Sequence, residues 1–289
     1  IELLVIEKLH MNNKEQQNIQ SEKTLTEIFK YNAEAGASEY HVMIHSTKPE
    51  DTYEEQLNAV LNTYDNLLAK ELKGGVAVFK RYFLSDAANQ ADTLLALTTE
   101  GSDCALSIVE QPPLDGTKIA LWVYLQTDIQ TQVLHNGLFE VKHGAYRHLW
   151  AGSAFNRAAN SEYQTRLLLN DYVMQLMEQG CRLADHCIRT WFFVQNVDVN
   201  YAGVVKARNE VFVTQNLTEK THYISSTGIG GRHADPKVLV QMDTYAIAGV
   251  KPEQIHFLYA PTHLNPTYEY GVSFERGTYV DYGDRRQVF

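Results

Sequence analysis

Cysteine is scarce in this chain. The three present, Cys104, Cys181 and Cys187, are an odd number, form no CxxC pair and lie in or beside apolar stretches. That excludes a disulfide framework, reads as buried, inert thiols and favours a reducing compartment, so a cytoplasmic location is expected. Positive charge is also in deficit: 25 Lys and Arg stand against 35 Asp and Glu, a formal net charge of −10. A phosphate-binding footprint needs a basic face, so no nucleic-acid partner is expected. No apolar run reaches the length of a membrane span, and no membrane partner is expected. The opening Ile1–Leu9 is interrupted by Glu2, Glu7 and Lys8 and lacks both a basic n-region and a small-residue cleavage site. It reads as a first strand rather than a signal peptide.

Familiar catalytic and cofactor signatures are missing as well. There is no GxSxG nucleophile elbow. The stretch Gly228-Ile229-Gly230-Gly231 lacks the strand–GxGxxG–helix context of a dinucleotide site and reads as a turn, so no cofactor is expected. His41 and His45 are four apart in a strand-like stretch, a spacing that keeps them from meeting, and nothing nearby completes a ligand set. No metal is expected.

What the chain does contain is a repeat. It has 289 residues, enough for two domains or three small ones, and 44% hydrophobic residues, enough for each unit to bury a core. Glu54, Gln56, Leu61, Asn62, Tyr64 and Leu68 recur as Glu162, Gln164, Leu169, Asn170, Tyr172 and Leu176, at a constant offset of 108 residues. Both stretches have helical periodicity, and in the second Leu169, Tyr172, Val173, Leu176 and Met177 form one stripe before Gly180. Each helix is followed by an aromatic, β-branched run, Val76–Leu84 and His186–Val194. A second helical stretch follows, Ala87–Leu97 or Tyr201–Phe212. Each copy closes on a hairpin-like pair, Ala105–Val109 with Ile119–Leu125, and Tyr223–Thr227 with Val238–Ile247.

A third start is visible where Tyr282–Phe289 (YGDRRQVF) matches His143–Trp150 (HGAYRHLW), aligning Gly283 and Arg286 with Gly144 and Arg147. The expected domains are 1–128, 129–252 and 253–289, the last a truncated repeat that belongs to a longer chain or leans on its neighbours. Strand, strand, helix, strand, helix, strand, strand in each unit predicts an α+β fold, a mixed sheet with two helices on one face.

In its element order from about residue 38 the chain resembles the RidA/YjgF family, also called the L-PSP endoribonuclease family. The stretch MEQGCRLADHCIRTWFFVQNVD is similar to the family's long helix, turn and strand, and VNYAGVVKARNEVF to its second helix, with Asn209 and Glu210 at the Asn-Glu pair. VLVQMDTYAI resembles the closing strand. YEYGVSFERG resembles the segment opening the family fold, with Tyr270 at the Tyr of its Tyr-Ser motif and Gly277 at the following Gly. The resemblance implies tandem YjgF-like (chorismate-mutase-like) domains imitating the family's trimer as a pseudo-trimer, ligand sites in clefts between domains, and possible self-association. It also implies a hydrolase acting on a small carboxylate-bearing imine or enamine. A second resemblance, carried by Arg189–Trp191, Ala207–Phe212 and Ser273–Gly277, is to chorismatase-type hydrolases. The arginine with which family deaminases hold the carboxylate is absent: Asp103-Cys104 and Lys220-Thr221-His222 stand in its place. The closing-strand carboxylate falls near Tyr124 in the first copy and Asp243 in the second. The first copy therefore reads as catalytically empty, and a non-catalytic binding or scaffolding member is the alternative reading.

The candidate catalytic residues are Glu275 and Asp243, either of which could position water. The candidate substrate-binding residues are Tyr270, Arg276, His222, Asn209 and Thr227. Arg276 has the fork that fits a carboxylate, and His222 could stand in for the missing arginine. Each has a plain structural alternative: an edge strand for Tyr270–Glu275, a solvent face for Arg208 and Asn209, a turn for His222–Gly231, and a strand end for Gly152-Ser153, which resembles the family's Ser-Gly edge near the ligand with the order altered.

Overall fold

The computed structural model describes residues 4–11, 14–33, 37–98, 104–283 and 285–289. Asp103 lies outside them. The chain divides into two compact units, Ile1–Val133 and Leu134–Phe289.

The first unit runs β1 (Leu4–Met11), β2 (Lys14–Gln20), β3 (Thr24–Asn32), β4 (Ser38–Ser46), α1 (Tyr53–Lys70), β5 (Val76–Leu84), α2 (Ala87–Thr98), β6 (Ala105–Glu110) and β7 (Ile119–Gln126). Its sheet has the order β1-β2-β3-β4-β7-β5-β6. All neighbours are antiparallel except β5 and β6. Helix α1 starts at a capping box, Thr52 accepting from the Glu55 backbone N–H while Glu55 accepts from that of Thr52. Leu57, Val60, Tyr64 and Leu67 then recur at helical spacing and are buried. Helix α1 packs on β4 and β7, and α2 on β5 and β6.

The second unit repeats this plan after the edge strand β8 (Gln130–Val133). It runs β9 (Phe139–His143), β10 (Tyr146–Phe155), α3 (Ser161–Glu178), the single turn α4 (Leu183–His186), β11 (Cys187–Val194), α5 (Val197–Thr214), β12 (Ser225–Gly230) and β13 (Val240–Ala248). The sheet order is β12-β11-β13-β10-β9-β8. Leu168, Leu169, Tyr172 and Leu176 of α3 and Val204, Val211 and Phe212 of α5 form one core with Phe192, Val194, Val240 and Met242 of the sheet. Three short strands follow, β14 (Ile255–Leu258), β15 (Gly277–Asp281) and β16 (Arg286–Val288), paired antiparallel.

The repeated glutamine has a physical reason. Buried Gln56 donates to the carbonyls of Lys48 (2.9 Å) and Asp51 (3.0 Å) and accepts from the Lys118 N–H at 2.8 Å. Buried Gln164 donates to Ala158 and Lys237 (both 2.9 Å) and accepts from Leu239 (2.8 Å) and Val240 (3.1 Å). In both copies one amide satisfies the loop before the long helix and the approach to the closing strand, backbone groups that burial would otherwise leave unpaired.

Three local expectations are corrected. The closing strands are not a hairpin: β6 pairs parallel with β5, and β7 pairs antiparallel with the other side of β5. The intervening helix α2 makes β5-α2-β6 a crossover unit, which brings β6 back parallel. The second copy does the same with β11, β12 and β13. The stretch Gly228–Gly230 is part of edge strand β12, not a turn. Gly228 lets the Tyr201 ring approach the strand: an added Cβ would lie 2.4 Å from that ring, and the side chain would have to shift. Ser153, expected at a strand end, lies inside β10 at a bulge with φ 54°, and its N–H donates to Asp243 Oδ1 at 2.7 Å.

Candidate functional site

A cavity of about 420 Å³ opens in the second unit between the loop before β12 and the segment joining β14 to β15. Residues 218–223 supply one wall. Tyr259, Tyr268, Phe274, Glu275 and Arg276 supply much of the other. The second wall is fixed to the sheet edge by the backbone. The Glu275 N–H donates to the Ile224 carbonyl at 3.0 Å, and Glu275 forms a parallel bridge with Ser225. A bond between the Ser225 and Thr278 hydroxyls (2.7 Å) extends the seam.

Glu275 is buried, and its Oε1 accepts the Tyr223 N–H at 2.9 Å. Burial raises its carboxyl above the usual carboxylate range, partly offset by that hydrogen bond and by the nearby His222. Partial burial and the Glu275 charge together hold the Tyr259 phenol above its ordinary value. Arg276 is exposed on the lip. Its Nη2 donates to the Tyr270 hydroxyl (2.5 Å) and the Asn265 carbonyl (3.3 Å), and its guanidinium lies over the rings of Tyr270 (5.8 Å) and Phe274 (5.3 Å). Among the described residues no carboxylate pairs with it. The side chain is therefore oriented by aromatic faces and neutral acceptors while its charge is left available. The His222 ring stacks on Phe257 at 4.4 Å, and its Nε2 meets the Ala184 carbonyl at 2.8 Å.

Glu275, Arg276 and His222 thus share one cavity, with Tyr270 behind Arg276. The other three candidates lie elsewhere. Asp243 is fully buried on β13 and holds the Ser153 bulge. Asn209 on α5 donates to the Gly271 carbonyl at 2.9 Å, supporting the turn that follows Tyr270. Thr227 on β12 accepts from the Arg189 guanidinium. Not foreseen from the sequence were the aromatic walls Tyr259 and Tyr268. They belong to a loop whose only signal was Pro261 and Pro266 flanked by tyrosines. Among the described residues no group of His, Cys, Asp and Glu could hold a metal, and no helix is long and apolar enough to cross a membrane.

No protein-family model matches the chain, and no curated protein sequence matches it. Solved structures do. A chorismatase aligns over 84% of this chain and 80% of its own, with a TM-score of 0.52 and 9% identity. The chain has a chorismatase-like fold. A YjgF/YER057c/UK114-family protein from Mycobacterium tuberculosis aligns over 38% of this chain and 84% of its own, with a TM-score of 0.30 and 18% identity. The YjgF gene product of E. coli aligns over 37% and 84%, with a TM-score of 0.32 and 16% identity. These three structures are of the two kinds the sequence resembled, and at these identities the likeness is one of fold.

Proposed function

We propose that this chorismatase-like fold carries a hydrolase site for a small carboxylate-bearing imine, enamine or related substrate, in the cavity lined by Glu275, Arg276 and His222. The observation that carries this reading is an unpaired guanidinium set beside a buried carboxyl whose pKa is raised. Arg276 takes the substrate carboxylate in its two-pronged fork. The aromatic walls hold the carbon skeleton. Glu275 retains a proton to higher pH than an exposed glutamate, so it can protonate the imine nitrogen and accept the proton of the attacking water. Water adds to the C=N carbon, the C–N bond breaks, and a carbonyl product and ammonia leave. Asp243 has no part in this, being committed to the Ser153 bulge.

The cavity walls come from residues 218–223 and 259–276, on either side of the boundary between a second repeat (129–252) and a third (253–289). We propose that partition on the hairpins: β9–β10 and β15–β16 turn at Gly144 (φ 58°) and Gly283 (φ 89°), the glycines paired by the sequence match. Self-association through such units belongs to the same proposal.

A binding module without turnover is the second reading, favoured by the Tyr223 N–H that already occupies Glu275 Oε1. Assaying ammonia release from freshly generated imino acids separates the two. Turnover in the wild type that Glu275→Gln abolishes, with keto-acid binding retained, supports the hydrolase. Binding without turnover in the wild type supports the module.

A further inference from the structure

A second cavity of about 150 Å³ lies behind His222. Its walls are largely apolar, formed by Cys187, Ile188, Ile224, Pro252, Ile255 and Phe257. The polar side chains on its wall have partners inside the protein: the Asp185 carboxylate pairs with Arg182, the Thr278 hydroxyl is bonded to that of Ser225, and His222 Nε2 to the Ala184 carbonyl. His222 and Tyr223 belong to the walls of both cavities. His222 therefore stands between an acid-bearing chamber and an apolar one. Its ring is held by the stack on Phe257 and the bond to Ala184 rather than by anything in the larger cavity.

We propose that the smaller cavity is a specificity subsite that takes an apolar group of about the size of a benzene ring, and that His222 is the residue governing entry to it. The proposal rests on the carboxylate-binding reading above, and it names the substrate class: a carboxylate on a short arm ending in an apolar group, not a bare keto acid. Three observations support it. A largely apolar cavity of about 150 Å³ is large enough to take a benzene ring. The two cavities share His222 and Tyr223 as wall residues. Of these, the His222 side chain is held by one hydrogen bond and one ring stack, so the flat imidazole can turn aside once both are released.

The test uses the whole chain and three probes: acetate, 3-phenylpropanoate and benzene. Calorimetric titration is run on the wild type, Ala184→Leu, which fills the small cavity from α4, and His222→Ala, which removes the partition. The expected wild-type result is binding of 3-phenylpropanoate about tenfold or more tighter than acetate, as burial of a phenyl group implies. Ala184→Leu is expected to lose that gain while keeping acetate binding, and His222→Ala to increase it. Benzene alone is expected to bind the wild type and not Ala184→Leu. Equal affinity for acetate and 3-phenylpropanoate in the wild type overturns the subsite and leaves the carboxylate reading intact. Benzene binding in the absence of any carboxylate binding overturns the carboxylate reading and leaves the apolar subsite. A phenyl gain that persists in a folded Ala184→Leu, verified by an unchanged circular dichroism spectrum, places the ring elsewhere and also overturns the proposal.

Discussion

Arg276 combines exposure at the cavity lip with partners that are neutral, the Tyr270 hydroxyl and the Asn265 carbonyl. Arg147, Arg157, Arg166, Arg182 and Arg286 each meet a carboxylate. A guanidinium held by a phenol and a carbonyl keeps its full charge for an anion. Arg276→Ala is therefore expected to weaken small-carboxylate binding by about 30-fold, the worth of one charge-assisted hydrogen-bonded pair. Arg276→Lys should restore only part of it, since the fork is lost. The neighbouring Glu275 makes a separate, pH-dependent prediction. Its folded pKa is raised above the unfolded value, so the folded state binds the extra proton between the two. Its contribution is at its most favourable below the unfolded carboxylate value and is lost as pH rises through the folded one. Glu275→Gln, which still accepts the Tyr223 N–H, should unfold with a flatter dependence on pH across that window, in denaturant titrations at a series of pH values. An unchanged slope would contradict the burial argument.

At the scale of elements, the two long helices were legible in the sequence almost to the residue. Tyr53–Lys70 and Ser161–Glu178 carry the 108-residue offset throughout, because a helix repeated on an equivalent sheet needs the same apolar stripe and the same buried glutamine. Strand β5 was likewise legible from its aromatic and β-branched run. The pairing of β6 and β12 was not. A parallel neighbour and a hairpin partner look alike along the chain, and only the crossover helix decides between them. Gly228 of β12 misled for a related reason: it lies against Tyr201, a contact distant in sequence. The glutamine tie gives the element-scale prediction. Gln164→Ala removes four hydrogen bonds and strands buried backbone groups at both ends of the unit, so a loss of about 3 kcal/mol in unfolding free energy is expected. Gln164→Glu, which lacks the amide donors, should recover little of it. A change within about 0.5 kcal/mol for Gln164→Ala, typical of an exposed site, would contradict the tie.

Over the whole molecule, the likeness to a chorismatase extends across both units, whereas the site was legible only in part. Glu275, Arg276 and His222, which line the candidate cavity, stand out in the sequence because they are chemically conspicuous residues in one family-like segment and one strand approach. Tyr259 and Tyr268 were missed because a long irregular loop has no periodicity to place its side chains. Asp243 and Asn209 stand out through the family resemblance and Thr227 through the hydroxyls beside the Gly-rich stretch, and the fold places the three outside that cavity, at a bulge, a turn and a cross-strand bond. Global stability should also report His148. It is fully enclosed, with Nδ1 at 2.7 Å from the Tyr245 hydroxyl, and burial, aided by Arg285 and His143, depresses its pKa to about 3. The unfolded chain takes up a proton near the ordinary histidine value and the folded chain does not. Stability is therefore expected to fall as pH drops from about 6.5 towards 3. His148→Phe should reduce that fall in urea titrations, even at the cost of a lower stability at pH 7. An equal acid slope in the variant would show that His148 is not the group responsible.

The cavity is the centre of the account, and calorimetric titration of pyruvate, the simplest keto-acid product of imine hydrolysis, tests it most directly. The wild type is expected to bind, Glu275→Gln to bind at least as well, and Arg276→Ala to bind about 30-fold more weakly. Pyruvate binding undiminished in Arg276→Ala would contradict the placement of the carboxylate, and no binding to the wild type by pyruvate or any other small carboxylate would contradict the site itself.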